Sequence, residues 1–393
     1  MTEWQKATLD EMGVVSRGKS KHRPRNDARL FGGKYPFIQT GDIGAAGLYV
    51  LDYSQTYNEV GLAQSKLWEK DTLCITIAAN IADTALLAFP ACFPDSIMGF
   101  QPYENVSNVK YVKYCFDILK KECQLISQGT AQDNLSWKKL STILFPCPPI
   151  EIQNKIAEVL SRYDTLIENY QRQIKLLEEA AQRLYKEWFV DLRFPGHQST
   201  PIINNLPQAW QKKSVSMLGE YLNGFAFKPS DWQETGKPII KIKEMGNGVT
   251  AETPRNNGDR VPKKYLIKAG DLLFSWSATL MVIVWTGEEG WLNQHLFKVT
   301  PAEGIGREFL LQSIANAIAE FSNLTTGSTM KHIQRNKLDQ VFVNTPPPEI
   351  MEKYNNLAES IRTQIINKST QIRNLSEARD RLLPKLMSAE IEV

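Results

Sequence analysis

The sequence has few of the residues that usually carry metal or nucleophilic chemistry. Its 393 residues include four histidines, which are scattered and show no metal-ligand spacing. Five cysteines lie in the first 150 residues without a Cys-x-x-Cys pair, so we expect reduced, mostly packed thiols rather than disulfides or a zinc site. The chain is therefore expected to hold no metal.

The chain also lacks a strong charge of one sign and a long apolar run. A net charge of +3 is small, so a nucleic-acid site must come from local clusters of basic residues. The most apolar region, residues 72–93, is interrupted by Asn80, Asp83 and Pro90 and cannot span a membrane. The N-terminus has no cationic start followed by an apolar segment, which argues against a signal peptide. We expect a cytoplasmic protein without membrane contact.

Motifs of several enzyme classes are absent. Amino-methyltransferases need Asn/Asp/Ser-Pro-Pro followed by an aromatic residue, whereas this chain has Cys-Pro-Pro-Ile from Cys147 and Thr-Pro-Pro-Pro from Thr345. Both proline-rich segments are typical of the connection between a strand and a helix. The chain also lacks the Asp/Glu-x-Lys of common magnesium nucleases, His-Glu-x-x-His and Gly-x-Ser-x-Gly. We predict no catalytic residues and no cofactor-binding residues.

What the sequence does contain is an internal duplication. At a shift of 198 residues, "GTAQDNLSWKKLSTILFPCPPIEIQ" aligns without a gap on "GSTMKHIQRNKLDQVFVNTPPPEIM". Such self-similarity over most of a chain is the signature of a tandem repeat, here with a unit of roughly 200 residues.

The duplication indicates whether a match to the phosphate-loop pattern marks a nucleotide-binding site. Residues 13–20, "GVVSRGKS", have the spacing Gly-x4-Gly-Lys-Ser. At an offset of 206 both glycines recur, as Gly219 and Gly224, but the lysine and serine fall on phenylalanine and alanine. We predict that the glycines belong to a turn of the repeated fold and that the segment binds no nucleotide.

Each repeat has a strand-rich part followed by a long helix. The first part has short apolar runs separated by glycine and proline, which predict strands with one or two short helices. The second part shows an alternating three-four spacing that predicts a coiled coil. The predicted seam positions are Ile156, Val159, Tyr163, Leu166, Tyr170, Gln173, Leu177, Ala180 and Leu184 in the first helix, and Tyr354, Leu357, Ile361, Leu375 and Leu382, interrupted by Lys368, in the second.

These patterns predict an α+β fold: two tandem α/β domains, each followed by a long helix, with the two helices pairing as an antiparallel coiled coil. A tandem duplication favours pseudo-twofold symmetry, and helices related by a perpendicular twofold axis run antiparallel. The alternative is two separate surface helices, each packed on its own domain.

Donor-rich side chains cluster in the strand-rich part of each repeat. Such side chains contact phosphates and read purine edges, so we predict DNA binding there. A solvated surface is the alternative for any single cluster, but matching positions with different side chains favour two readers of different sequences. The predicted DNA-binding residues are Lys19, Lys21, His22, Arg23, Arg25, Gln132, Asn134, Lys138 and Lys139 in the first repeat, and Asn293, Gln294, His295, Lys331, His332, Gln334, Arg335, Asn336 and Lys337 in the second.

Over essentially its whole length the chain resembles the specificity subunit of a type I restriction–modification system. The resemblance rests on the duplicated plan, on "LYKEWFVDLRFPG" at residues 184–196, and on the "KLxxxxFPxPPxEIQ" pattern that precedes the first long helix. It implies that residues 1–149 and 198–345 are target-recognition domains, each reading one half of a bipartite, asymmetric DNA site. Residues 150–197, a helix and junction, and residues 346–393 would be spacers that set the distance between half-sites.

The resemblance also implies partners. These are double-stranded DNA, two modification subunits that carry S-adenosylmethionine and methylate adenine, and translocating restriction subunits, while the specificity subunit itself has no catalytic site. In this chain the second helix meets Pro384 where the first has Lys186, so we expect it to end or kink there. The alternative function is a coiled-coil scaffold or adaptor whose basic loops bind acidic protein.

Overall fold

In the computed structural model the chain forms two units, Met1–Asn169 with Ile372–Val393, and Tyr170–Gln371. The structure describes residues 4–78, 80–127, 135–323 and 335–393, with the backbone alone at Arg335. The predicted domain limits at 149/150 and 345/346 lie just before the two long helices and stay a prediction. No helix in the described ranges combines the length and apolarity that crossing a bilayer requires.

The first unit is built from two sheets and a helix that covers one of them. Its strands are β1 (Lys6–Ala7), β2 (Gly13–Arg17), β3 (Phe31–Phe37), β4 (Tyr49–Val50), β5 (Gln55–Tyr57), β6 (Leu67–Trp68), β7 (Leu73–Thr76), β8 (Thr84–Leu87), β9 (Ala91–Cys92), β10 (Ile97–Pro102) and β11 (Phe145–Pro146). Its own helices are α1 (Leu9–Met12), α2 (Thr40–Ala45), α3 (Glu59–Ala63), α4 (Val109–Ser127) and α5 (Trp137–Leu140), with a 3-10 turn at Ala28–Leu30.

The main sheet of this unit has the order β2-β10-β7-β8-β4 and is buried on both faces at its centre. Every residue of β7 and β8 is buried, which explains why these strands are continuous apolar runs. Leu73, Ile75 and Leu86 face the core that includes α4, whereas Cys74 and Ala85 face a second core containing Trp68. The second sheet has the order β5-β3-β9-β6.

The second unit repeats this construction. Its strands are β12 (Ile202–Ile203), β13 (Leu206–Pro207), β14 (Gln211–Ser214), β15 (Gly219–Asn223), β16 (Lys237–Ile240), β17 (Arg255–Asn256), β18 (Leu266–Ile267), β19 (Leu272–Ser275), β20 (Met281–Val284), β21 (Gly290–Leu292), β22 (Leu296–Pro301) and β23 (Phe342–Thr345). Its own helices are α7 (Ile242–Asn247) and α8 (Arg307–Asn323), with 3-10 turns at His197–Ser199, Val215–Leu218, Pro229–Asp231, Lys263–Tyr265 and Arg335–Asp339. The two long helices are α6 (Ile150–Tyr185), followed by a π-helical turn at Lys186–Val190, and α9 (Pro348–Met387).

The strand orders confirm the predicted duplication. The order β15-β22-β19-β20 repeats β2-β10-β7-β8, and β17-β16-β21-β18 repeats β5-β3-β9-β6. Each second sheet contains a parallel pair, β3 with β9 and β16 with β21. The short antiparallel pair β1–β11 recurs as β14–β23.

The long helices pair antiparallel within each unit, as predicted. In the first unit Lys155, near the start of α6, donates to the carbonyl oxygen of Val393 at 2.9 Å. In the second unit the ring of Tyr185, at the end of α6, lies 6.5 Å from that of Tyr354, near the start of α9. Lys368, which interrupts the predicted seam, places its ammonium 5.3 Å from the ring centre of Tyr170. These contacts exclude two separate surface helices.

The predicted seam is displaced by about one residue. Ile156 and Tyr354 are buried as predicted, but Leu166 is 43% exposed and Leu357 is 51% exposed. The buried positions one residue later are Ala157, Leu160, Asp164, Ile167, Ala181 and Tyr185 in α6, and Ala358, Arg362 and Leu383 in α9. Because each helix packs on the strand-rich part of its repeat as well as on the other helix, its buried stripe is wider than a coiled-coil seam and is rotated.

Of the glycines predicted to form a turn, Gly13 and Gly219 begin strands, and Gly18 and Gly224 directly follow the same strands. Gly13 and Gly219 begin β2 and β15 with extended backbone, φ 178° and −171°. A Cβ built on Gly18 would lie 2.2 Å from the carbonyl oxygen of Pro94, and one on Gly224 would lie 2.1 Å from that of Asn293. The reason for glycine is therefore the close approach of a neighbouring backbone and not a turn.

The segment that matches the phosphate-loop pattern is a strand and the loop after it, and the absence of nucleotide binding there stays a prediction. Residues 13–17 form β2, and residues 18–27 contain no helix whose N-terminus could face a phosphate.

The proline at 384 does not stop α9 at once. The helix includes Pro384 and ends three residues later at Met387. A proline in the last turn removes one hydrogen bond to a carbonyl, and the helix end leaves carbonyls unpaired in any case.

Candidate nucleic-acid interface

In each unit, three loops meet at one end of the main sheet. In the first unit, Gly18 N–H donates to the carbonyl of Ile97 at 2.8 Å and Ile77 N–H donates to that of Ser96 at 3.0 Å. Gly224 and Leu296 make the matching bond in the second unit at 3.0 Å. We call this end the loop face. It comprises the loop after β2 or β15, the loop between β7 and β8 or between β19 and β20, and residues 93–96 or 292–295.

The loop face of the first unit is rich in guanidinium groups organised by carboxylates. Arg25 Nη2 donates to Asp95 Oδ1 at 2.5 Å, and Arg23 Nη2 lies 3.7 Å from Asp95 Oδ2. Hydrogen bonds from Arg29, and one from His22, hold the pKa of Asp27 well below its usual range. Both arginines beside Asp95 remain about half exposed, so their remaining donors are available to a ligand.

The backbone of this basic loop is held by the end of α3. Gln64 Oε1 accepts hydrogen bonds from the N–H groups of Lys21 and His22, at 2.6 and 3.0 Å. Ser65 Oγ donates to the carbonyl oxygen of Lys19 at 2.7 Å. The loop therefore has a fixed course while Lys21 is exposed.

The loop face of the second unit carries amide and aromatic groups instead. Asn293 is buried, and its Nδ2 donates to Gln294 Oε1 at 2.8 Å. The ring of His295 lies 5.8 Å from that of Trp276, and Trp276 Nε1 donates to Asn223 Oδ1 at 3.2 Å. The buried Nδ1 of His295 has no hydrogen-bond partner within the described residues.

The remaining predicted residues lie on a different element. Lys138 is exposed on α5, whereas Lys139 Nζ donates to the carbonyl oxygen of Ser127 at 2.8 Å and so caps the C-terminal end of α4. Asn336 is exposed in the equivalent 3-10 turn, and Lys337 Nζ lies 3.3 Å from Gln340 Oε1. Leu135, which precedes α5, donates to the carbonyl oxygen of Ile77 at 3.0 Å, so α5 begins beside the loop face. Gln132, Asn134, Lys331, His332, Gln334 and the side chain of Arg335 lie outside the described residues.

Sequence reasoning missed several residues of the loop face. Asp95 and Gln64 organise the basic loop, and Trp276 lies beside His295 with the two rings tilted. A signal for Asp95 existed, because a shift of 199 residues places it on Gln294, which is among the predicted residues. Gln64 gave no such signal, since its role depends on a backbone contact 43 residues away in sequence.

The cysteines are free and mostly packed, as expected. Cys74, Cys92, Cys115 and Cys123 are buried and Cys147 is partly buried. Burial raises the pKa of Cys123 to about 11, which keeps this thiol protonated near neutral pH. Within the part of the chain that the structure describes, no three His, Cys, Asp or Glu side chains are placed to hold a metal ion.

A family model matches both repeats. The type I restriction modification DNA specificity domain matches residues 1–179 and again residues 207–371. The chain belongs to this family. The predicted resemblance is thereby confirmed, and the chain is a type I restriction–modification specificity subunit with two recognition domains.

Relatives of the same kind extend over the full length of the chain. The type I restriction enzyme MjaIX specificity subunit of Methanocaldococcus jannaschii is 24% identical and covers 100% of this chain and 94% of that protein. The HindI specificity subunit of Haemophilus influenzae is 22% identical and covers 100% of both. The crystal structure of the S subunit of the type I restriction–modification system from M. genitalium shares the fold, with a TM-score of 0.56, 14% identity and coverage of 98% of this chain and 96% of that chain. The comparisons give no support to a scaffold or adaptor.

Proposed function

We propose that each unit of this specificity subunit reads one half of a bipartite, asymmetric DNA site, with the loop face as the reading surface. One observation carries the proposal. The two loop faces share backbone hydrogen bonds but differ in side chains, with Asp95 and Ser96 in the first unit where the second has Gln294 and His295. One scaffold bearing two sets of polar side chains is what recognition of two different half-sequences requires.

The side chains suit two kinds of contact. Guanidinium groups such as those of Arg23 and Arg25 bind phosphates and can donate two hydrogen bonds to guanine O6 and N7. The amide of Gln294 can pair with adenine N6 and N7. Exposed lysines such as Lys138 supply phosphate contacts that position the duplex without reading its sequence.

The chemistry of methylation and cleavage belongs, in this proposal, to other subunits. The chain contributes no catalytic residues and no cofactor, in line with the absence of the enzyme motifs sought in its sequence. Two modification subunits would carry S-adenosylmethionine and methylate adenine, and restriction subunits would translocate DNA. Because its substrate is the cellular DNA, the complex would act in the cytoplasm.

Equilibrium DNA binding in a series of salt concentrations tests the proposal. The logarithm of the binding constant should fall linearly with the logarithm of salt concentration, with a slope near −0.9 per phosphate contact. Methylation mapping of DNA exposed to the assembled complex should give a motif of two different half-sequences around an unspecified gap. Binding that is insensitive to salt, or a continuous motif without a gap, would contradict the proposal.

A further inference from the structure

Both long helices bury a charged residue at the same position of the repeat. Asp164 of α6 is 4% exposed and Arg362 of α9 is 5% exposed. A shift of 198 residues superimposes one on the other in sequence. A buried charge costs free energy of folding unless it is paired and hydrogen-bonded. Because both side chains are buried within the protein, contact with DNA does not explain them.

In the first unit, Asp164 joins three helices. Tyr114 of α4 donates its hydroxyl proton to Asp164 Oδ2, and Arg379 of α9 donates from Nη1 to Oδ1. Burial, with the neighbouring Asp164 as the second cause, raises the pKa of Tyr114 far above its usual range, so the tyrosine remains a donor. The carboxylate thus has a partner on the recognition domain and a partner on the other long helix.

In the second unit, Arg362 ties α9 to the recognition domain. Its Nε and Nη2 donate to the two carboxylate oxygens of Glu308 in α8, at 2.9 and 3.1 Å. The two side chains are 6% and 1% exposed. Burial raises the pKa of Glu308, and Arg362 opposes that shift. The pairing is bidentate, which fixes both distance and direction.

The two charge pairs distinguish one axial register of the helices from registers that are shifted by seven residues. Apolar helix surfaces repeat every seven residues, so they permit slips of one heptad at little cost. A slip of one heptad in α9 would place Ile372 or Leu386 where Arg379 now meets Asp164. The same slip would place Asn355 or Ser369 where Arg362 now meets Glu308. Either slip would leave a buried carboxylate without its cation.

We propose that Asp164 and Arg362 are positioning residues: Asp164 fixes the axial register of α6 against α4 and α9, and Arg362 fixes that of α9 against α8. This rests on the proposed function for its consequence, which is a single length of the gap between half-sites. The register itself is a property of the protein without DNA and can be measured separately. A buried polar group that sets register at some cost in stability is well attested in coiled coils.

The first measurement is the distance between two spin labels in the full-length chain, obtained by double electron–electron resonance. Spin labels are placed at Arg162→Cys in α6 and Ala378→Cys in α9, both exposed, with Cys147→Ser because the other native cysteines are buried. The test variant is Tyr114→Phe, Asp164→Leu, Arg379→Leu. The wild-type background should give one narrow distance, and the test variant should give several distances from registers about 10 Å apart along the axis, seven residues at 1.5 Å each. The matched control removes the exposed pair Glu377–Arg381 with two leucines and should keep the single distance.

The second unit gives an independent test should the first variant fail to fold. Labels at Ala319→Cys in α8 and Ser360→Cys in α9, both exposed, report the register there. Glu308→Leu with Arg362→Leu should broaden this distance, while circular dichroism shows unchanged helix content. A narrow, unshifted distance in a folded variant of either unit would overturn the proposal for that unit.

The second measurement links register to recognition. Methylation mapping with the variant complexes should give the wild-type half-sequences with several gap lengths instead of one. A single wild-type gap together with several measured registers would overturn the link to the gap and leave the register assignment standing. A wild-type complex with no bipartite motif would instead refute the proposed function, while the distance measurement would still decide the register.

Discussion

Gly18 and Gly224 are positions where an added Cβ atom would clash with a neighbouring backbone. At both, a Cβ would lie within 2.2 Å of a carbonyl oxygen in the neighbouring loop. Gly18→Ala or Gly224→Ala should therefore lower the free energy of unfolding by about 1–3 kcal/mol through overpacking. Chemical denaturation of the full-length chain measures this.

Gly41 provides the matched control for these two changes. It is exposed in α2, with no atom within 4 Å of a built Cβ. Gly41→Ala should stabilise the protein by about 0.5–1 kcal/mol, because alanine loses less backbone entropy on folding. Equal effects at Gly41 and Gly18 would mean that the close approach does not require glycine.

Single side chains also separate reading from positioning. Gln294→Ala should relax specificity in one half-site, costing about 1–3 kcal/mol of discrimination if its amide contacts a base in two places. Lys138→Ala should weaken binding to all sequences by a similar factor and flatten the salt slope by about one unit. A panel of DNA duplexes with substitutions in each half-site measures both effects. If Gln294→Ala weakened binding to all duplexes equally, the loop face of the second unit would contact only the DNA backbone.

At the scale of secondary-structure elements, the sequence pattern predicted the long helices but not which of their faces are buried. Their lengths, positions and antiparallel pairing were predictable, because a three-four spacing sustained over four heptads has few other interpretations. The register was not predictable, since the true buried stripe contains Asp164 and Arg362, which any count of apolar residues treats as exposed. Only their distant partners make these buried positions tolerable: Tyr114 and Arg379 for Asp164, and Glu308 for Arg362.

Neighbouring residues on α6 test the corrected register. Ile167 is 8% exposed, whereas Leu166 is 43% exposed. Ile167→Ala should lower the free energy of unfolding by about 2–5 kcal/mol, because it removes buried methyl groups and leaves a cavity. Leu166→Ala should change it by about 0.5 kcal/mol or less. Denaturant unfolding compares the two, and the reverse order would restore the seam predicted from the sequence.

At the scale of the whole molecule, the duplication was the most informative property of the sequence. It predicted two copies of one fold, and the repeated strand orders confirm this. It also favoured a coincidence of spacing as the reason for the phosphate-loop match, which stays a prediction, although the turn inferred for its glycines was wrong. The loop faces could be predicted only in part, because they depend on contacts such as Arg25 with Asp95 that join positions 70 residues apart.

The duplication also predicts how the gap between half-sites can be changed. If the long helices hold the recognition domains apart, their length determines the gap. One heptad inserted after Leu166 and one after Gln364, which are equivalent positions in the repeat, should keep the helix surfaces in register. Both insertions lie beyond Asp164 and Arg362, so each charge pair keeps its neighbours within its unit. The added length is about 10 Å, at 1.5 Å per residue.

That length corresponds to about three base pairs at 3.4 Å each. The half-sequences should be unchanged while the unspecified gap lengthens by about that amount, as methylation mapping of the assembled variant would measure. Rotation about the duplex axis will reduce affinity, so the length of the preferred gap decides the question and not the strength of binding. A heptad inserted into α6 alone is the control, and it should abolish assembly because the helices can no longer pair along their length. An active double-insertion variant with the original gap would show that the helices do not set the spacing.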